Sequence, residues 1–559
     1  MTPNRGPGRK RSVRIALCAT IAIATAGLFP LTTSTADAAG PTACEKRDNN
    51  TAAKLVECIK TADLWRHMKN FQHIADTHPG PDGHPSRNSG EAGYKASVDY
   101  VAKAMKQAGY NVTIQTYTFS YFSFVGKPTF QQVSPTAHDY SLDSDFTAAQ
   151  AAGTVTGAAL QPAGGIVNPP TDTPSSASGC NAADFASFVP GRIALIQRGT
   201  CTFGTKASNA QAAGASGVVI FNEGNPGRTG QFSGSLVLAD GTPATLSIPV
   251  VFTTFDLGTS LLSQYQQAAS AGSTGPNLSI DIKAVQNPKA EDYNVIAESK
   301  GGDPNSVLVV DAHLDAIFGA GMLDNASGSA AILDIAEQMK NVKPKNKLRF
   351  IWFGGEELGL LGSDYYVNNL SATDLGKIGY DLDADVLGTK NYVAGVLDPE
   401  GVELFSRGPG TPMPPAITAP SRVARDYGIG YLNSIGIKNE LFSADGTDAF
   451  SFEQAGIPAS GVLTGQDCCK TANDVALFGG TTGNFEGNLG TTDGGCVDNP
   501  FRWCDNLSNN DPGVLTFMTK TFATMVAKMA FDTTVLHPAP HSGGGGHGHH
   551  HKVRGRADL

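Results

Sequence analysis

The sequence has 559 residues, 40% of them apolar, with 65 glycines and a net charge of −10. That length calls for two or three domains. The acidic balance, with no large basic region beyond the N-terminus, argues against nucleic acid as a partner.

Taken in chain order, the N-terminus carries Arg5, Arg9, Lys10, Arg11 and Arg14, then an apolar stretch from Ile15 to about Leu31, then Ala36-Asp37-Ala38. Basic, apolar and small residues in this order read as a secretory signal over residues 1–38, so a secreted, extracellular protein is expected. Gly27 and Pro30 interrupt the stretch, which disfavours a retained anchor. No other run is long enough to span a bilayer, so no membrane association is expected after cleavage. Nine cysteines are present and Cys18 leaves with the signal. The remaining eight (Cys44, Cys58, Cys180, Cys201, Cys468, Cys469, Cys496 and Cys504) are an even number, which in an exported chain favours disulfides. Proximity suggests Cys44–Cys58, Cys180–Cys201 and Cys496–Cys504. Cys468 and Cys469 are left as a vicinal pair or crossed with the last two.

Residues 39–62 read as a leader segment. From Ala62 to about Gly109 the pattern is helical, with Val98, Val101, Ala104 and Met105 on one stripe and Gly109 at the C-cap position. Asn111 to Phe119 alternates as a half-buried strand. Between about 145 and 290 Ala, Gly, Thr, Ser and Pro dominate, and short strands such as 192–197 and 217–221 are separated by turn signals. This reads as an inserted, mainly β domain without a catalytic constellation of its own, either a spacer or a lid that selects substrate. The first part of the main domain is then 63–144 and the second 291–535. A His- and Gly-rich low-complexity tail, 536–559, reads as disordered.

The second part holds the informative stretch. Residues 306–312 form a short, nearly all-apolar run that ends in His313-Leu314-Asp315. Asp324 follows, then a segment with helical spacing, then a second apolar run over 348–353 that ends in Gly354-Gly355-Glu356-Glu357. Two buried strands around a helix make a βαβ unit, which brings both strand C-termini to one sheet edge. A further strand ends at Asp385. The fold class is α/β: a central mixed, mostly parallel sheet flanked by helices. His313, Asp324, Glu356, Glu357 and Asp385 then converge where open α/β sheets bind ligands. Histidine and carboxylates are zinc ligands, and a carboxylate not used as a ligand can take the proton from a metal-bound water. The bland reading of the same set is an acidic strand-end loop with one buried histidine.

These residues resemble metallopeptidase family 28, the two-zinc aminopeptidases. The likeness opens at residues 93–101 (GYKASVDYV) and resumes from about Tyr293 to Met529. Within the insert, residues 191–199 (GRIALIQRG) with Cys201-Thr202-Phe203 resemble the protease-associated (PA) domain. The resemblance implies two Zn2+ ions, with His313 and Asp385 on the first, Asp324 bridging and Glu357 on the second. It also implies Asp315 orienting His313, Glu356 as the general base, and hydrolysis of N-terminal peptide bonds in a peptide or protein substrate by a monomer.

Two departures stand out. The family closes the second site with a histidine in a Cys-Tyr-His-x-x-Cys-Asp loop, whereas residues 496–505 here read CVDNPFRWCD. Asp498 falls where the histidine should be, and between His138 and His537 the only histidine is His313. Thr447-Asp448-Ala449-Phe450 stands where the family has Ser-Asp-His. The expectation is a secreted metallo-aminopeptidase with one altered metal site. The alternative is a peptidase-like protein that binds peptide or metal without hydrolysis.

Overall fold

The computed structural model describes residues 44–536 except 45, 143, 172–173, 318, 402–409, 466–469, 484 and 486–504. The expected signal (1–38), Asp498, Cys468, Cys469, Cys496, Cys504 and the His-rich tail beyond Leu536 lie outside the described residues.

The main domain is built on an eight-stranded sheet. Its strands are β1 (Asn111–Phe124), β2 (Ala284–Glu298), β3 (Asp303–His313), β4 (Asn346–Phe353), β5 (Ile378–Ala384), β6 (Gly395–Leu397), β7 (Glu440–Phe442) and β8 (Ala459–Leu463). Their spatial order is β1-β2-β4-β3-β5-β8-β6-β7. The four central strands β4, β3, β5 and β8 are mutually parallel, with His313 beside Phe353 and Asp311 beside Asp383. The helices that cover the sheet are α1 (Thr61–Thr77), α2 (Ala92–Ala108), α3 (Ala326–Met339), α4 (Leu361–Asn368), α5 (Pro415–Ser434), α6 (Ala449–Gln454) and α7 (Pro512–Met529).

Apart from Asp311, Asp381 and Asp383, the central strands are largely apolar on both sides because both sheet faces are covered. Leu308, Val310 and Ala312 of β3 pack into the core shared with α1, α2, α3 and α7. Val307 and Val309 face the other way, against Tyr366 and Val367 of α4 and Phe452 of α6. Helix α3 sits innermost and is buried nearly all round, with mostly apolar or small side chains. The helical stretch expected over 62–109 is two helices. Between them Pro79, Pro81 and Pro85 fall in a turn-rich segment, where proline removes N–H donors and bars the helical conformation of the residue before it.

From β3 the chain crosses to β4 on one side and then to β5 on the other. That reversal opens a crevice at the C-terminal ends of β3, β4 and β5. Asn325, the N-cap of α3, closes the crevice floor. Its side chain accepts from Gly328 N (2.7 Å) and Val386 N (3.1 Å) and donates to Ala384 O (2.9 Å). One amide therefore ties the start of α3 to the end of β5. Gly328 lets these segments touch, since a Cβ there would lie 2.0 Å from Ala384 O.

The insert is carried on a two-stranded ribbon. β1 and β2 pair antiparallel from Asn111 opposite Glu298 to Phe124 opposite Ala284, with a register shift between Phe119 and Tyr121. The ends of the ribbon are neighbours, so a domain placed between them leaves the main sheet intact. The insert has its own eight-stranded sheet, running in space 138–140, 129–134, 277–282, 153–162, 193–197, 217–221, 250–253 and 146–148. Helices Phe203–Ala212 and Phe255–Ser270 cover it. The parallel pairs at its centre need such crossovers. Disulfides join Cys44 to Cys58 and Cys180 to Cys201. No helix among the described residues is long and apolar enough to cross a membrane.

Replacing Gly328 with alanine forces a methyl group into the Ala384 carbonyl and the Asn325 amide. Stability is expected to fall by about 2–4 kcal/mol, read as a lowered denaturation midpoint with unchanged slope.

Candidate metal centre

Each crevice residue is delivered by the end of an element. His313 is the last residue of β3 and Asp385 follows β5 directly. Glu356 and Glu357 lie in the turn between β4 and α4, and Asp324 precedes the N-cap of α3. His313 Nε2 lies 3.1 Å from Asp324 Oδ1, 3.3 Å from Asp385 Oδ1 and 3.9 Å from Glu356 Oε2. On its other side Nδ1 is 3.5 Å from Asp315 Oδ1. Two sets bring one ligand atom from each residue to within 4.8 Å of one another: His313 with Asp324 and Asp385, and His313 with Glu356 and Glu357. All six side chains are buried.

The loops that carry them are fixed by hydrogen bonds that no spacing pattern reveals. Arg87, fully buried, donates through Nε to Ala320 O (2.7 Å), through Nη1 to Leu314 O (2.6 Å) and through Nη2 to Gly321 O (2.6 Å). It therefore clamps the loop between His313 and Asp324 from three sides. The Asp505 carboxylate accepts from Leu323 N (2.8 and 2.9 Å) and Asp324 N (3.0 Å). Ser329 Oγ donates to His313 O (2.7 Å), and Ser89 Oγ accepts from Gly355 N (2.8 Å). Asp315 has two contacts, since its Oδ1 also accepts from Glu356 N at 3.3 Å. Beside Asp385, Val386 holds a left-handed backbone (φ 53°) that β-branched residues avoid. The Asn325 side chain at its N–H and the Thr464 N–H and hydroxyl at its carbonyl keep it there.

Five carboxylates, Asp315, Asp324, Glu356, Glu357 and Asp385, surround one imidazole in a dry crevice. Burial by itself pushes the His313 imidazole down, but Glu356 and contacts from Asp315, Asp324 and Asp385 outweigh it and hold the imidazolium well above its ordinary range. Even with His313 protonated and Arg87 behind the loop, negative charge is in excess, and buried charge of one sign calls for a counter-ion. Among the described residues neither oxygen of Asp385 receives a hydrogen bond, although Oδ1 faces His313 Nε2. One nitrogen and several carboxylate oxygens converging on one point are the donors zinc takes. The residues present fit such an ion.

Deeper under the crevice lie Asp311, Asp381, Asp383 and Asp448, all buried. Burial first, and each other's charge second, pushes these carboxyl groups up. Asp383, beside the charge of Asp385, reaches about 7.

The structure thus gathers His313, Asp315, Asp324, Glu356, Glu357 and Asp385, while Asp498 lies outside the described residues. Arg87, Ser89, Asn325 and Asp505 were not singled out by the sequence reading. Asp505 stood in the loop already compared with the family, and its acidic character was the available signal. Arg87 sits in a polar turn and carries none.

Residues 294–526 match the model of peptidase family M28, and residues 163–261 match that of the PA domain. An aminopeptidase of Pseudomonas aeruginosa is 33% identical over 497 residues, covering 87% of this chain and 84% of that protein. Leucine aminopeptidase 2 of Trichophyton equinum is 29% identical over 486 residues, covering 84% of each. Among solved structures, an aminopeptidase from Aneurinibacillus sp. strain AM-1 superposes with a TM-score of 0.57 at 21% identity, covering 88% of this chain and 98% of that one. A zinc aminopeptidase from Bacillus subtilis superposes with a TM-score of 0.53 at 22% identity, covering 84% and 95%.

Removing the guanidinium by Arg87→Met leaves three buried carbonyls without their donor. The expected loss is about 3 kcal/mol or more in denaturant unfolding. Arg87→Lys is expected to recover only part of it, because one ammonium cannot reproduce the planar fork. Proton and cation compete for His313 Nε2, so apparent zinc affinity is expected to rise with pH by up to about tenfold per unit where His313 is protonated. Calorimetric titration at several pH values reads that slope, and a flat profile would contradict it.

Proposed function

The chain belongs to peptidase family M28, as a peptide hydrolase with an inserted PA domain, and from that premise we propose that it removes N-terminal residues from peptides. The observation that carries the reading is the convergence of His313, Asp324 and Asp385 on one point, with Glu356 and Glu357 alongside. His313, Asp324 and Asp385 would hold one cation. Asp324 and Glu357 would hold a second, with Asp498 offered by sequence as a further ligand. Bound there, zinc supplies Lewis acidity that acidifies water and polarises a carbonyl oxygen.

The chain's own residues do the rest. Glu356, at the rim of the ligand set, takes the proton from the attacking water and returns it to the departing amine. Asp315 holds the imidazole from behind through Nδ1 and steadies the Glu356 backbone through the same oxygen. The burial of the crevice strengthens each of these interactions. The aminopeptidase names of the relatives support a substrate with a free α-amine. The signal-like N-terminus and the two disulfides support a secreted protein, and we read it as a monomer acting on peptide or protein substrates.

A second reading, binding without hydrolysis, rests on one observation: no histidine other than His313 occurs between His138 and His537. Activity assays on a leucine-terminated peptide separate the two. Chelation is expected to abolish hydrolysis and zinc to restore it. Glu356→Gln is expected to lower kcat by about 10²–10⁴-fold while zinc content is kept. A wild-type protein that loads zinc and cleaves nothing would leave the binding reading standing, and full activity in Glu356→Gln would sink the proposed base.

A further inference from the structure

A second group of metal-ligating side chains lies away from the crevice, between α1 and α3. His67 comes from α1, while Asp334 and Glu337, three residues apart, share one face of α3. One donor atom from each lies within 4.8 Å of the others. Asp334 is about 15 Å along α3 from the Asp324 end, at 1.5 Å per residue. The pair on one helix opposite a ligand from its neighbour is the arrangement by which helical bundles build metal sites.

The hydrogen bonds fix the state of the imidazole. Arg66 Nη2 lies 3.1 Å from His67 Nε2 and 2.9 Å from Glu337 Oε2. A guanidinium can only donate, so Nε2 accepts from Arg66, with Glu337 Oε2 3.4 Å away, and the ring proton is on Nδ1. That Nδ1 lies 2.7 Å from Tyr100 Oη, which also accepts from Asn70 at 2.9 Å. This is the outward hydrogen bond that steadies a ligating histidine. Accepting from Arg66 at Nε2, the ring is neutral, as a ligand must be. Asp334 is fully buried. Gln338 donates to its Oδ1 at 3.1 Å, and among the described residues its Oδ2 has no hydrogen-bond partner.

Burying a carboxyl oxygen with no donor is costly unless something else meets it. Arg66 is half exposed and Glu337 a quarter exposed, so the cluster has a route to solvent on that side. The guanidinium can swing out along it.

We propose that His67, Asp334 and Glu337 form a divalent-cation site, zinc by donor chemistry, separate from the crevice, in which the Arg66 guanidinium holds the cation's place when the ion is absent. One imidazole nitrogen and two carboxylate oxygens suit zinc and leave a fourth position for water. The site ties α1 to α3, the helix that starts beside Asp324, and its role is structural. It does not depend on the peptidase reading, and neither outcome below bears on that reading.

The test is zinc content by elemental analysis after dialysis, on the full chain and on variants. His67→Gln and Glu337→Gln are each expected to carry one zinc fewer than wild type. Asp385→Asn, altered only in the crevice, is expected to keep the zinc that His67→Gln removes. The His-rich tail contributes equally to every arm, so the difference between variants reads this site. Unchanged zinc content in both folded variants would overturn the proposal. Should either misfold, Arg66→Ala decides. Without the competing guanidinium, zinc is expected to bind this site about tenfold tighter. Unchanged or weaker binding would overturn it too.

Discussion

The surplus of buried negative charge at the C-terminal ends of β3, β4 and β5 is the constraint that the surrounding structure answers. Five carboxylates around one imidazole repel one another strongly in a dry crevice. The backbone alone would relax by letting the loops part. It is prevented by groups that bind the loops rather than the charges. Arg87 holds three carbonyls between His313 and Asp324, Asp505 holds the amides of Leu323 and Asp324, and Asn325 ties α3 to β5. The left-handed Val386, which costs about 1–3 kcal/mol, persists because three hydrogen bonds over-determine it. This is pre-organisation: main-chain hydrogen bonds to the loops hold the carboxylates in place.

The same helix serves both ends of that arrangement. Helix α3 presents its capped N-terminus, the positive end of its dipole, beside the crevice carboxylates. Its far half carries Asp334 and Glu337 toward α1. Because α3 is buried nearly all round, its position is set by packing against β3, α1 and α7 and not by its own propensity. The insert stands apart from this core. It hangs on the β1–β2 ribbon and has its own apolar clusters.

Much of the site was legible because its residues sit at boundaries that sequence marks clearly. His313 ends an apolar run, Glu356 and Glu357 follow another after two glycines, and Asp385 closes a third. Strand ends in a parallel sheet converge by topology alone, so position in the pattern gave position in space. Arg87, Ser89 and Asp505 had no such marker. They come from a proline-rich turn and from a segment close to α7, and their partners are main-chain atoms more than 180 residues away. Hydrogen bonds to backbone carbonyls and amides select no partner side chain, so no residue pairing announces them.

Sequence by itself determined the α/β class, the insertion of a second domain and the order in which strand ends deliver His313, Glu356, Glu357 and Asp385. Alternation, apolar runs and glycine positions act over a few residues and survive in one dimension. Only the tertiary structure decided which oxygens face His313 Nε2, which loops are clamped and by what. It also decided that His67, a lone histidine on an apolar helix face, meets Asp334 and Glu337. Those outcomes depend on how helices pack and where buried polar groups find partners, and both are fixed by contacts between segments remote in the chain.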